Sequence, residues 1–437
     1  MTSEILIMNK NCIVLAADSA STVRKEEGPK IFSADKIFAL SGKHPVGVMT
    51  YNHSEISGMP VDILIKEFKV NLGSASFPTL REYAESFFRF INTGHLPENG
   101  GKAVPMISEE LADMEMSRMI VDFWKEICKR AEEVYGNARN DLIMNSSADR
   151  KKLEDVSNDS MKAVIESMLG KCTIDFKSKA AKSVREKILE NLDKGTVFVL
   201  EEGTERFSIM DHLDPVVRIF TDRIISLNGM GNRFSGLVFA GFGSDQIFPS
   251  FIEYKVYGNL FGELRYKEVK SGEISAKNPS LVEPFAQGDV TETFLTGVNE
   301  KLAAYVLKSF NTALDDVTET LIDCLGGNDA HKESIKKYNT DLISVLVKDL
   351  YDFLEEKYMR PTKAIIKYLS KDELALMAES LVNITSLKRR ISDGAETVGG
   401  PVDVAVISRG EGFIWIKRKQ YFDVNLNPQY AEMRRGQ

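Results

Sequence analysis

Cysteine is scarce in these 437 residues: positions 12, 128, 172 and 324 carry the only four, and no Cys-x-x-Cys pair occurs. That spacing excludes a disulfide framework and a cysteine-built zinc site. Histidine is thin as well, with 5 residues widely spread, so neither a metal centre nor a cofactor is expected. An excess of positive charge is also missing. The formal net charge is −8, against the basic face that nucleic-acid binding requires. The longest basic run, Lys417-Arg418-Lys419, follows a strand-like segment and reads as a solvated strand end. No apolar run approaches a bilayer span and the first residues carry no secretory pattern, so the protein is expected in the cytoplasm, away from membranes. No GxxxxGK[ST] loop occurs. Gly229-x-Gly231 and Gly241-x-Gly243 both fail to complete GxGxxG, and the second ends a strand without opening a helix, which rejects a dinucleotide reading.

What is present is ordinary for a globular chain, 43% hydrophobic and 27% charged, long enough for two or three domains or for one with large insertions. The organising stretch is the first forty residues. Residues 2–8 and 12–19 are short apolar runs on either side of the polar cluster Asn9-Lys10-Asn11, which predicts a β-hairpin. Thr2 then lies at the open end of a strand. Because Thr2 is small, removal of Met1 is expected, leaving a threonine that carries its hydroxyl and a free α-amine on one residue. An amine with a pKa near ~8 is a competent base at neutral pH. Such an amine is one of the few ways to activate a threonine hydroxyl. Asp18 ends the second strand, where the return of the hairpin brings it back beside Thr2. Lys30 opens the next apolar segment, and its ammonium, paired with Asp18, would lower the proton affinity of the threonine oxygen. Gly42 follows the strand-like residues 37–40, and a glycine there lets a backbone N–H approach an oxyanion.

At these residues the sequence resembles the proteasome β-subunit and HslV branch of the N-terminal nucleophile hydrolases. The family's leading threonine, its V-L-A-A-D-S strand, its K-I-F segment and its Ser-Gly pair have counterparts at Thr2, at 14–19, at 30–32 and at Ser41-Gly42. The spacing from Thr2 to Asp18 matches without a gap, while the loop from Asp18 to Lys30 is a few residues shorter. Thr22 falls where the family contacts the substrate backbone, and Leu40 lies near its specificity pocket. The resemblance implies an α+β fold, a four-layer αββα sandwich, and a threonine-type peptidase acting on peptide or protein substrates. It also implies a homo-oligomer. With no phosphate-binding loop in the chain, any ATPase unfoldase would be a separate partner.

Two later stretches carry the same resemblance. Residues 235–243 and 249–258 read as two sequential strands, and 372–387 as a helix that precedes a Gly-Gly turn and an apolar strand within 393–407. Counting 2–70, 235–310 and 371–418, the resemblance covers a little under half the chain. It also has departures. Gln287-Gly288 stand where the family commonly has Gly-Ser-Gly, and Ala395 and Val398 occupy the expected supporting Asp and Ser positions, with Asp393, Glu396 and Thr397 nearby. A catalytically inactive scaffold or binding protein of the same fold would carry such departures, and a non-peptide amidase would share the nucleophile. Both stand as alternatives.

Elsewhere periodicity predicts a strand over 46–51 and helices over 59–68, 78–91 and 290–310. Thr79 and Glu82 form a capping box for the second helix, and Asp289 is the expected N-cap of the third. Helical stretches are expected at 108–134, 149–169 and 178–192, and Met114, Met116, Met119, Met144, Met161 and Met168 of this region read as core filler. The expected organisation is core over 1–95, helical insertion over 96–204, core over 205–310, helical insertion over 311–370 and core over 371–437.

Overall fold

The computed structural model describes residues 3–25, 28–93, 95–97, 103–105, 109–145, 150–193, 199–202, 205–208, 212–228, 230, 233–260, 263–325, 329–391, 399–420, 422 and 427. β1 (Ser3–Asn9) and β2 (Ile13–Asp18) pair antiparallel around the polar turn, Glu4 opposite Ala17 and Met8 opposite Ile13. Asn9 builds that turn. Its Oδ1 accepts the Asn11 N–H, and its Nδ2 donates to the carbonyls of Ile366 and Leu369. A second hairpin, β3 (Ala20–Lys25) and β4 (Gly28–Ser33), leads into a third, β5 (Ile37–Ala39) and β6 (Val46–Asn52). The helix expected from position 59 begins later. β7 (Glu55–Ile56) pairs with β8 (Met59–Pro60), and α1 (Val61–Leu72) starts after Pro60, whose φ of −58° and ψ of 129° are extended. α2 (Leu80–Thr93) opens on the capping box: the Glu82 N–H donates to Thr79 Oγ1, and that hydroxyl reaches Glu82 Oε1 at 2.9 Å.

A short pair, β9 (His95–Pro97) and β10 (Ala103–Pro105), precedes α3 (Glu109–Asn145), α4 (Arg150–Leu169) and α5 (Lys179–Asp193). A further hairpin, β11 (Val199–Glu202) and β12 (Glu205–Ser208), leads to α6 (Leu213–Ser226). These four helices bury one cluster around Trp124, Ile127, Ile165, Ile188 and Phe220. Met116, Met119, Met161 and Met168 fill gaps inside it, while the side chains of Met114 and Met144 lie outside the described residues. α6 therefore packs with the helices that precede it in the chain, although its sequence position falls in the 205–310 segment.

The chain then runs through β13 (Ser235–Gly241), β14 (Ser250–Leu260), β15 (Glu263–Glu273) and β16 (Ser280–Ala286). Next come α7 (Asp289–Thr296), α8 (Glu300–Leu325), α9 (Asp329–Leu354), a π-helical turn (Glu355–Met359) and α10 (Arg360–Ile366). The single helix expected over 290–310 is thus two. Gly297, at a φ of 73°, ends α7, and Asn299 Oδ1 accepts the Leu302 N–H to start α8. Asp289 is not the cap of α7, because Gly288 holds that position. Its carboxylate is taken by Lys388 and Arg389 of α11 (Lys371–Ile391). β17 (Val402–Ser408) and β18 (Gly412–Lys417) complete the described elements.

The long strands form two five-stranded sheets, ordered β16-β1-β2-β17-β18 and β15-β14-β13-β6-β5. Side-chain alternation assigns the two faces of each sheet. Leu6, Met8, Leu15 and Ala17 of the first sheet meet Met49, Val238, Ala240 and Phe251 of the second in a shared core. The alternate residues Ile5, Ile7, Val14 and Ala16 face Leu374, Ala378 and Leu381 of α11. On the second sheet Val46, Val48, Leu237 and Phe239 lie under Leu64 and Phe68 of α1 and Phe87 of α2. The central strands of both sheets are covered on both faces, so β1, β2, β6, β13 and β17 read as near-continuous apolar runs. Among the described residues no helix is long and apolar enough to cross a membrane.

Candidate active site

Asp18 is the last residue of β2, and its carboxylate is 1% exposed. Oδ1 accepts the backbone N–H of Ser3 at 2.9 Å and the Lys36 ammonium at 2.6 Å, and Oδ2 accepts the Gly399 N–H at 2.9 Å. A buried ion pair survives only when further hydrogen bonds satisfy the remaining lone pairs. Two backbone donors do that here. They also fix the first residue of β1 and the turn before β17 to the same side chain.

That turn is the Gly-Gly turn read from the sequence. The Gly399 carbonyl accepts the Ala20 N–H, and Gly400 adopts a φ of 78°. A Cβ on Gly400 would stand 2.5 Å from Ser19 Oγ, so both the conformation and the space demand glycine. Positions 393, 395, 396, 397 and 398, among which supporting groups are expected, lie outside the described residues.

Lys36 is 5% exposed and precedes β5. The backbone on both sides of it is tied down: the Ala34 N–H donates to the Ser19 carbonyl, and the Lys36 carbonyl accepts the Thr50 N–H. Its Nζ also lies 3.7 Å from Glu4 Oε1, a carboxylate that is 1% exposed. Beyond Glu4 a second buried polar pair follows. The Tyr51 hydroxyl donates a short hydrogen bond to Glu253. Burial first, and then the Glu253 charge, push the Tyr51 phenol far above its ordinary value, with the Glu4 charge adding to the shift. Tyr51 is therefore a neutral donor throughout the physiological range.

On the other flank of β1, Ser3 stands opposite Ala286 of β16. Ala286 has a φ of 60°, a left-handed conformation that costs a non-glycine about 1–2 kcal/mol. It turns the chain out of the sheet and into α7. The next residue, Gln287, is 7% exposed, and neither Nε2 nor Oε1 has a hydrogen-bond partner among the described residues. An unpaired buried amide costs on the order of 1–3 kcal/mol.

The other residues singled out from the sequence lie elsewhere. Thr2 and the side chains of Thr22 and Lys30 are outside the described residues, although the backbone register puts Thr22 opposite Ile31 and Lys30 opposite Val23 in the β3–β4 hairpin. Gly42 occupies the exposed turn that joins β5 to β6. Lys36 and Thr50 meet at one end of that hairpin, and Leu40 and Val46 pair at the other. The length of β5 therefore separates Gly42 from the Asp18–Lys36 pair. Leu40 is fully buried with α1 and α2. The backbone that does share the Lys36 end is the 50–52 end of β6, where Asn52 has a φ of 68°.

Lys36 is the functional candidate that sequence reasoning passes over. Its signal is a second K-I-F, Lys36-Ile37-Phe38, six residues after the first. Among the described residues no group of His, Cys, Asp and Glu side chains is arranged to hold a metal ion.

No protein-family model matches the chain, and no curated protein matches it. Among solved structures it is similar to the Anbu (Gly-1) mutant from Hyphomicrobium sp. strain MC1, with 8% identity and a TM-score of 0.29, over 100% of this chain and 96% of that one.

Proposed function

We propose that the protein is an N-terminal threonine hydrolase that cleaves peptide amide bonds, with Thr2 as nucleophile after removal of Met1. Its two face-to-face sheets, with α1 and α2 outside one and α11 outside the other, would be the four-layer αββα sandwich of the N-terminal nucleophile hydrolases. The single observation that carries the reading is the shared oxygen of Asp18, which takes the Ser3 N–H and the Lys36 ammonium together. The reading takes Thr2, the residue before Ser3, to act beside this buried cation.

In this mechanism Thr2 Oγ1 attacks the substrate carbonyl while the Thr2 α-amine takes its proton. Lys36 stabilises the developing anionic oxygen, and Asp18 holds Lys36 and the strand in place. The proton passes to the leaving amine, and an ester on Thr2 remains. A water deprotonated by the same amine then hydrolyses that ester. The Gln287 amide oxygen, buried and without a hydrogen-bond partner among the described residues, would in this reading accept a hydrogen bond from the amine. Lys30 is the second candidate for the cation, and Thr22 for the substrate-backbone contact. The working particle would be a homo-oligomer, with any ATPase unfoldase a separate chain.

The test is intact-mass measurement for loss of Met1, followed by labelling with a threonine-directed β-lactone or epoxyketone. The reading expects one adduct, absent in T2A and K36A and retained in K30A. The competing reading, a non-catalytic scaffold, is favoured by Ala395 and Val398 at the support positions. It expects no adduct under the same conditions.

A further inference from the structure

Lys417-Arg418-Lys419 reads from the sequence as a solvated strand end, but the structure sends its three charges to three places. Lys417 pairs with Glu379 on α11. Arg418 lies over the Trp415 ring, 4.8 Å from its centroid. Lys419, two residues beyond β18, turns inward, and its side chain is only 15% exposed. An ammonium has three N–H donors and no acceptor. Three oxygens lie around this one: Asp403 Oδ2 at 2.8 Å, the Ala34 carbonyl at 2.8 Å and Asp35 Oδ1 at 2.9 Å. The Lys419 N–H also donates to Asp403 Oδ1 at 2.7 Å, so one carboxylate grips the main chain and the side chain of the same residue.

Asp403 is a buried residue of β17 and stands opposite Ala17 of β2, one position before Asp18. Ala34, Asp35 and Lys36 are consecutive. Lys419 holds the first two, and Asp18 takes the ammonium of the third. The backbone hydrogen bonds from Ala34 to Ser19 and from Thr50 to Lys36 tie the two ends of this turn, and Asp35 lies between them. Arg418, at 4.0 Å, is the looser of the two cations paired with Asp35. Fastening the strand end alone would need no more than Asp403. The contacts to Ala34 and Asp35 reach past it, to the turn that carries Lys36. A lysine ammonium sits on a flexible four-carbon stem, so its place depends on how firmly its main chain is held.

We propose that Lys419 is a positioning residue for Lys36: the segment after the last strand clasps the 34–36 turn and so fixes the ammonium against Asp18. The catalytic meaning of the clasp rests on the hydrolase reading, whereas the clasp itself rests on the contacts above. Lys419 touches no reacting atom and acts through geometry. A misplacement of about 1 Å at a working group can cost on the order of 10²-fold in rate.

The test follows adduct formation on Thr2 of the full-length chain against the concentration of the β-lactone. K419M should lower the maximal rate by roughly 10–100-fold and leave the half-saturating concentration unchanged. K417M, which alters the neighbouring exposed pair, should change neither. Because K419M strands the buried Asp403, K419M/D403N is measured beside it and should show the same loss with a wild-type circular dichroism spectrum. Hydrogen exchange gives the second readout. In K419M/D403N the segments 33–38 and 48–52 should exchange faster, while 5–8 and 13–16 keep their wild-type rates. A wild-type labelling rate in K419M/D403N would overturn the proposal, as would a loss confined to the half-saturating concentration or an equal loss in K417M. Faster exchange throughout the first sheet would overturn it too, leaving Lys419 a fastening of the fold. A wild type that forms no adduct overturns the hydrolase reading instead, and the clasp then stands or falls on the exchange of 33–38 and 48–52.

Discussion

Lys36 Nζ lies 2.6 Å from Asp18 Oδ1, and both side chains are almost wholly withdrawn from water. Among the described residues Glu4, at 3.7 Å, is the other carboxylate paired with that ammonium.

These contacts order three substitutions. K36M takes the ammonium from Asp18 and from Glu4 together and should cost ~3–5 kcal/mol. D18N leaves Lys36 with Glu4 and forfeits a charge-assisted hydrogen bond, about 1–3 kcal/mol. E4Q keeps the tighter pair and should cost least. Urea denaturation midpoints measure the order, and a K36M milder than D18N would contradict it.

The Gly399–Gly400 turn makes a steric prediction. G400A places a methyl against Ser19 Oγ in a left-handed backbone, and a loss of roughly 1–3 kcal/mol is expected. S19A removes the colliding oxygen but not the backbone strain, so G400A/S19A should recover part of the loss. Thermal unfolding of the four proteins separates the two contributions. Full additivity would show that the contact is not felt.

The thiols should differ sharply in reactivity. Burial pushes Cys12 up to about 11, with Lys371 opposing it, and pushes Cys128 up to about 12. Cys324 is exposed. With a disulfide reagent near pH 8, Cys324 should react at once, and C324S should remove that phase. Cys12 and Cys128 should react only as fast as the chain opens. Rapid labelling of Cys12 in folded protein is the contrary result.

Asp289 sets an acid dependence. Burial opposes its charge, but Lys388 and Arg389 overcome burial and hold the carboxyl below its ordinary value. A carboxyl depressed in the folded state stabilises fully above the unfolded value of ~3.9, and that contribution fades as pH falls through the folded one. The pair is partly exposed, so about 1 kcal/mol is at stake. D289N should be less stable than the wild type at pH 6 by that amount, and the gap should shrink below pH ~4. A gap independent of pH would refute the role given to the charge.

The β1–β2 hairpin, Asp18 and the Gly-Gly turn are legible in the sequence because each has a local cause: an apolar run, a polar turn, a backbone that only glycine adopts. The ammonium is less legible. Lys30 and Lys36 begin identical tripeptides, and the choice between them rests on hydrogen bonds from Ala34 to Ser19 and from Thr50 to Lys36, contacts between distant residues that no local pattern encodes. The same holds for β15, whose Glu263–Glu273 segment is largely polar and exposed and becomes a strand through pairing with β14. The break between α7 and α8 had a visible sign in Gly297, but the apolar periodicity continues past it and masks the stop.

β2 has β1 on one side and β17 on the other, and the Gly399 N–H that completes the Asp18 carboxylate comes 381 residues later. At ~5–20 residues per second of synthesis, that donor emerges about 20–80 s after Asp18. For all that time the leading hairpin has an unfilled edge and an acid short of one partner. Assembly of this pocket is therefore one of the last events in the making of the molecule, and a nascent chain on the ribosome does not yet possess it.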